Sequence, residues 1–316
     1  MTVIAEAPAA PPSDAPPPRP RHRTVHKGER SLRNTVVILV VVFNAVLLVY
    51  PISRAFAGSF HLWNPLDGTY EFLGLQNYTD LLTDPVFWKT ALNTVLFGGV
   101  VIFFRVAIGL ALAYAIFSRL TRWKSFFRTI FYLPTVTPLV AVAYVWKLAY
   151  HPQIGAVDTY LGLDVNWLYD SSFALPAIMV MTVWKDFGYA VILLLAGLYS
   201  MPEDALEASL VDGCTAWQRF RLVMLPLLRP MLIFVIVTSV ISYLQAYVQV
   251  LVLTGGGPGK STYLISFLIY DEAFVKYNFG YASAIAFVLL FFTAIMTLVS
   301  FRLMGGRALF GKGRRA

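Results

Sequence analysis

The sequence predicts an all-α, polytopic membrane protein with six transmembrane helices and both termini in the cytoplasm. Three observations carry that expectation. Of its 316 residues, 58% are hydrophobic and 13% charged, against roughly half and a quarter in a soluble domain. Six segments, 35–57, 91–117, 127–149, 173–199, 231–253 and 280–303, each reach the length needed to cross a bilayer, about 20 apolar residues. Lysine and arginine concentrate in alternate connections, which fixes the orientation.

The elements follow in chain order. Residues 1–33 hold Pro8, Pro11, Pro12, Pro16, Pro17, Pro18 and Pro20 ahead of the basic run RPRHRTVHKGERSLR. That composition cannot bury a core, and it is too long and Pro-rich to open a signal peptide. A disordered cytoplasmic tail is expected there, followed by a transmembrane domain over 34–304 and a short basic tail over 305–316. The connection after the second span carries Arg119, Arg122, Lys124 and Arg128, and the carboxyl end carries Arg302, Arg307, Lys312, Arg314 and Arg315. Both are placed inside with the amino tail. The connections near Asp67 to Lys89, Asp158 to Asp170 and Lys260 to Lys276 are poorer in cations and are placed outside.

Composition also excludes function classes. The net charge of +8 flanks apolar runs and does not stripe a soluble face, so it argues topology and not nucleic-acid binding. The single Cys214 rules out an intrachain disulfide, and four scattered histidines give no metal-ligand spacing. No nucleophile, base and orienting group come together in the outward connections, so no enzyme active site is expected. TGGGPGKS at 254–261 ends like a phosphate-binding loop. It has Thr254 where that motif needs its first Gly, and a helical span instead of a strand precedes it, so a Gly-rich turn is expected.

Between spans four and five lies a polar cytoplasmic segment, 200–230, that includes EASLVDGCTAWQRFRLVMLPLLRP. SMPE at 200–203 and TAWQ at 215–218 both fit capping boxes, and Gly213 supplies a cheap left-handed residue between them. A helix, a sharp turn and a second helix are therefore expected, the second presenting Trp217, Phe220 and Met224 on one side until Pro226 interrupts it.

Glu207, Ala208, Gly213, Leu225 and Pro226 stand at the spacing of the EAA loop of ATP-binding-cassette importer permeases, with Ser209, Cys214 and Val223 as small departures. The stretches FLGLQNYTDLLTDPVFWKTALNT, RTIFYLPTVTPLVAVAYVWKLAYHPQIG, VWKDFGYAVILLLAGLYSMPEDALEAS and VLTGGGP also resemble the carbohydrate-type permeases, the family of the larger maltose and glycerol-phosphate subunits. The resemblance spans most of residues 70–285. It implies a type I importer permease fold and a bacterial or archaeal cell-membrane location. It further implies a coupling helix that docks in a cleft of a cytoplasmic ATPase, with Glu207 meeting basic residues and Asp212 and Gly213 shaping the turn. The implied partners are a second permease subunit, a dimer of ATPase subunits that bind ATP and magnesium, and an extracytoplasmic solute-binding protein; no cofactor is implied in this chain.

A substrate path is sought among polar residues inside spans, where an ionised group costs about 2.5–3.5 kcal/mol. Lys185 and Asp186 lie near the middle of span four and Arg105 near the middle of span two. Each is open to ligand contact or to interhelical pairing. In span five Thr238, Ser242, Gln245 and Gln249 recur as one helical stripe, neutral groups suited to sugar hydroxyls, while Tyr243 and Tyr247 fall opposite and are assigned to packing or lipid. Gly280, Ala282, Ser283, Ala284 and Ala286 open span six as a packing surface. The expected function is import of a sugar or related polyol by alternating access. The alternatives are an importer for amino acids, peptides or another nonsugar solute, and a membrane scaffold or membrane-embedded enzyme without an ATPase.

Overall fold

The computed structural model describes residues 27–118, 123–162 and 164–303. Most of the Pro-rich tail and all of the basic tail at 305–316 lie outside the described residues. Helix α1 (Lys27–Asn44) begins within the stretch read as tail, where no proline follows Pro20. A π-turn at Ala45–Val49 leads to α2 (Tyr50–Gly58). That turn precedes Pro51, whose ring would otherwise clash with the carbonyl four residues back; widening the helix relieves the conflict.

The connection after α2 contains a small element that the all-α expectation did not include, the antiparallel hairpin β1 (His61–Asn64) and β2 (Thr69–Phe72). Asp67 accepts from the Thr69 amide at 2.9 Å and Gly68 takes φ +77°, which closes the turn. Helix α3 (Gln76–Thr83) follows, then α4 (Pro85–Phe117), whose first turn is capped by Asp84 accepting from Val86 N at 2.8 Å.

The third expected span is broken. Helices α5 (Lys124–Val136) and α6 (Leu139–Ala149) meet at 93°. Pro138 lacks an amide hydrogen and drives Thr137 into the extended region at φ −72°, ψ 137°, so the helix cannot run through. After α7 (Ala156–Leu161) comes α8 (Ala174–Tyr199), then α9 (Glu203–Val211), α10 (Ala216–Arg219), a π-turn at Phe220–Met224 and α11 (Leu225–Leu227). Helix α12 (Arg229–Leu244) is bent by 65° from the preceding run. Helix α13 (Val248–Leu253), α14 (Ile265–Tyr270), a π-turn at Asp271–Val275 and α15 (Phe279–Leu303) complete the order.

Among the described residues four helices are long and apolar enough to cross a membrane, at Leu32–Gly58, Pro85–Phe117, Ala174–Tyr199 and Phe279–Ser300; the two bent pairs bring the number to six if each is one span. Helix α4 packs along α8, and α5 crosses α8 closely at Gly188, where an added Cβ would collide with the Phe131 carbonyl oxygen. Two apolar clusters form the core. One gathers Phe97, Val101, Ile178, Met181, Leu268 and Ile285, and the other Ile116, Leu194, Leu198, Met224 and Leu228. The small residues that open α15 pack as expected: Ala282 and Ala284 are buried, and a Cβ on Gly280 would run into the His61 carbonyl.

Candidate functional site

The polar segment between α8 and α12 forms the expected helix, turn and helix, with two corrections. SMPE is not a capping box. Ser200 takes helical angles as the C-cap of α8 and its hydroxyl donates back to Gly197 O at 2.9 Å, whereas an N-cap needs extended backbone. Helix α9 begins after Pro202 without a side-chain cap, though Glu203 and Asp204 in its first turn suit the helix dipole. The second correction concerns Pro226, which does not interrupt the second helix. The π-turn at Phe220–Met224 widens the helix ahead of Leu225 and Pro226, as another does ahead of Pro51, and the bend comes at Leu228.

The turn itself is as the residues demand. Gly213 sits at φ +73°, Cys214 N donates to Ser209 O at 3.1 Å and Gly213 N to Leu210 O at 3.1 Å, a Schellman closure of α9. Thr215 and Gln218 then form the reciprocal capping box that starts α10. The inner side of the segment is fixed to the bundle: Leu206, Phe220, Met224 and Leu228 join the apolar cluster at the ends of α4 and α8, and Phe220 meets the Tyr114 ring at 4.9 Å. Gly197 allows Leu228 and Met231 to approach α8, since a Cβ there would stand 2.7 Å from Leu228.

The outer side is uncovered. Leu210, Val211, Trp217 and Leu222 are exposed, Val211 at 88%. Glu207, Ala208, Asp212 and Gly213 are exposed beside them. Among the described residues neither the Glu207 nor the Asp212 carboxylate makes a hydrogen bond or ion pair. Large apolar residues and free carboxylates therefore stand exposed on one segment. Of the two remaining motif residues, Leu225 is half-buried and Pro226 exposed.

The charged residues inside the spans come together as a polar junction. Arg105, 5% exposed on α4, donates through Nε to the Asp186 carbonyl at 3.1 Å and through Nη1 to Ser239 Oγ at 2.7 Å. Its guanidinium lies over the rings of Tyr189 and Tyr243, at 5.3 and 5.6 Å. Tyr243 Oη donates to Asp186 Oδ2 at 3.0 Å, and Lys185 Nζ reaches Asp186 Oδ1 at 3.5 Å and the Thr135 carbonyl at 3.2 Å. Thr135 Oγ1 returns a bond to the Lys185 carbonyl at 3.0 Å. One junction thus ties α4, α5, α8 and α12 together, and interhelical pairing accounts for Arg105, Lys185 and Asp186.

Span five departs from its expected stripe. The helix stops at Gln245 and restarts at Val248, so Thr238, Ser242, Gln245 and Gln249 do not share one continuous face. Thr238 donates back to Phe234 O and Gln249 is buried, while Ser242 and Gln245 are exposed and their side chains make no hydrogen bond among the described residues. Tyr243, assigned to packing by its position opposite the stripe, is instead the buried link between α12 and Asp186. The signal lies in the i, i+4 spacing of Ser239 and Tyr243, both of which face Arg105.

On the opposite end the Gly-rich loop follows a helix, not a strand. Gly255, Gly256 and Gly257 donate their amides to Val250 O, Thr254 Oγ1 and Thr254 O, so those three are not free to hold a phosphate. Gly256, at φ +89°, lets the chain pass against the Tyr263 and Phe267 rings. Asn93 on α4 anchors the loop through Ser261 O and Tyr263 O, at 2.9 and 3.2 Å. Nearby, Lys276 bridges Asp271 and Glu272; although burial lowers the basicity of its ammonium, the two carboxylates outweigh it and hold the pKa above its ordinary value.

The comparisons with known proteins agree with this geometry. Residues 105–305 match the family described as binding-protein-dependent transport system inner membrane component. A probable ABC transporter permease protein of Pyrococcus horikoshii is 35% identical over 83% of this chain and 90% of its own length. The trehalose/maltose transport system permease protein MalF of Thermococcus litoralis is 32% identical over 88% of this chain and 95% of its own. In fold, the chain is similar to a bacterial ABC transporter involved in the import of the acidic polysaccharide alginate, with TM-score 0.74, 20% identity, and coverage of 88% of this chain and 96% of that one. With a helix set able to provide six spans and relatives matched nearly end to end, the chain belongs to the binding-protein-dependent transport system inner membrane components, the permease subunits of ABC transporters, in which ATP hydrolysis resides in a separate subunit.

Proposed function

We propose that this permease imports a sugar or related polyol by alternating access, as one of two permease subunits in the cell membrane of a bacterium or archaeon. A pair of cytoplasmic ATPase subunits, holding ATP and magnesium, drives it, and an extracytoplasmic binding protein delivers the solute. The observation that carries the coupling half of this reading is the uncovered side of α9 and its turn, where Glu207 and Asp212 stand uncommitted beside Leu210, Val211 and Trp217. A rigid capped helix fixed to α4 and α8 on its other side passes displacement to the spans. Leu225 and Pro226 set the angle at which it leaves.

The substrate class is supported by the trehalose/maltose relative and by Ser242 and Gln245, neutral donors and acceptors with no protein partner at the break in span five. A helix interrupted inside the membrane region frees backbone groups for a ligand as well. Gln249 is a path residue only if the short helix α13 turns during transport. Lys185 and Asp186 are better read as supports, because each already bonds within the junction; Asp186, its side chain 25% exposed, is the one able to reach a passing hydroxyl.

Uptake into proteoliposomes holding the whole complex, with a panel of disaccharides, polyols and amino acids presented on binding protein, tests the assignment. Accumulation of a sugar or polyol that depends on internal ATP supports it. Accumulation of amino acids alone contradicts it.

A further inference from the structure

We infer that the cleft between α5, from Arg128 to its last residue Val136, and Ile192 on α8 is a site for an anionic phospholipid, whose phosphate is held by Arg128. The Arg128 guanidinium stacks over the Tyr199 ring at 5.2 Å. Its Nε is buried with no hydrogen-bond partner, and among the described residues no carboxylate stands within ion-pair distance of it. Helix α5 contains no acidic residue at all. A buried N–H and an unneutralised cation call for an oxygen acceptor of negative charge, and a guanidinium held over an aromatic ring keeps its remaining N–H groups for one.

The cleft itself shows that this acceptor carries an apolar tail. Its volume is about 270 Å³, and it is lined by Arg128, Thr129, Tyr132, Leu133, Val136 and Ile192. Arg128 is the only charged residue of this lining, and Leu133, Val136 and Ile192 are its aliphatic ones. From Arg128 to Val136 the helix rises about 12 Å, close to the depth of one hydrocarbon leaflet. Trp123, Phe126 and Phe127, all exposed on the turns around Arg128, are the aromatic residues of a headgroup-level belt. Tyr199 closes α8 immediately before the coupling segment, so the site lies at the end of the bundle that faces the ATPase. The inference rests on that end being in the cytoplasmic leaflet and not on the identity of the transported solute.

The same phosphate chemistry could be met by a free anion, and the test separates the two. The purified complex is titrated with phosphatidylglycerol and with phosphatidylcholine and examined by native mass spectrometry, with and without millimolar inorganic phosphate, as wild type, Arg128→Gln, Arg128→Lys and Val136→Trp. Wild type should retain phosphatidylglycerol in preference to phosphatidylcholine and keep it in the presence of phosphate. Arg128→Gln should weaken retention about five-fold, Arg128→Lys less, and Val136→Trp should block the tail while leaving the cation in place. Thermal unfolding in phosphatidylcholine nanodiscs confirms that the variants are folded, and Val136→Trp decides the matter should Arg128→Gln be unstable. Equal retention of both lipids, displacement by inorganic phosphate, or retention unchanged in Val136→Trp overturns the assignment.

Discussion

The segment proposed for coupling and the polar junction are built on opposite terms. Around Arg105 the side-chain charges answer to partners in the same chain: Asp186 to Tyr243 and Lys185, Lys185 to Thr135, and Arg105 to Ser239 and a backbone carbonyl. On α9 and its turn the carboxylates have no side-chain partner among the described residues, and large apolar residues stand exposed on the same segment. Both regions are rich in charge, yet only one is finished. A committed charge holds helices, whereas an uncommitted one awaits another molecule. Substitutions should therefore separate the two: damage at the junction appears as lost stability, damage at the coupling turn as lost communication with the fold intact.

The largest effect is expected where α5 crosses α8. Gly188→Val places a side chain against the Phe131 carbonyl and should cost about 3 kcal/mol or more, read as loss of folded protein in thermal unfolding. Arg105→Met comes next. It strips a donor from the Asp186 carbonyl and from Ser239, and about 2–3 kcal/mol of stability should go with it; Arg105→Lys should recover part. Glu207→Ala, by contrast, should leave the melting temperature unchanged and weaken ATPase docking by about 2 kcal/mol, near thirty-fold, in a pull-down titration. If Glu207→Ala unfolds the chain, the contrast between the regions is false. Gly213→Ala should cost about 1 kcal/mol, because a Cβ strains the left-handed turn. Gln245→Ala is the mildest, with a substrate KM raised about five-fold and assembly intact.

Much of this architecture is legible in the residues alone. Gly213 has to be left-handed once a helix ends at Asp212 and TAWQ begins another, and the capping box at Thr215 forms as written. Helix boundaries fail where proline chemistry allows two outcomes. Pro138 breaks a span by 93°, whereas Pro226 and Pro51 are absorbed by π-turns. A single residue does not announce which relief its neighbours will permit. Ser200 misleads for a related reason: a serine three residues before a glutamate fits a cap, but its place is already taken as the end of α8. The polar stripe of span five depends on an uninterrupted helix, and the stop at Gln245 removes that premise. The role of Tyr243 needs three helices at once, since Arg105, Asp186 and Tyr243 lie far apart in sequence and meet only in the fold.

The claim that the open turn on α9 carries the ATPase signal is tested most directly by one measurement. ATPase activity of the complete complex in lipid is compared with and without sugar-loaded binding protein, for wild type, Glu207→Ala and Gly213→Pro. Wild type should be stimulated; Glu207→Ala should lose stimulation while the permease keeps its melting temperature and the isolated ATPase its basal rate, and Gly213→Pro should lose it with a lowered melting temperature, because proline cannot adopt the φ of +73° and removes the amide that bonds Leu210 O. Normal stimulation in both variants would mean that the turn is only a well-capped loop, and that the coupling runs elsewhere.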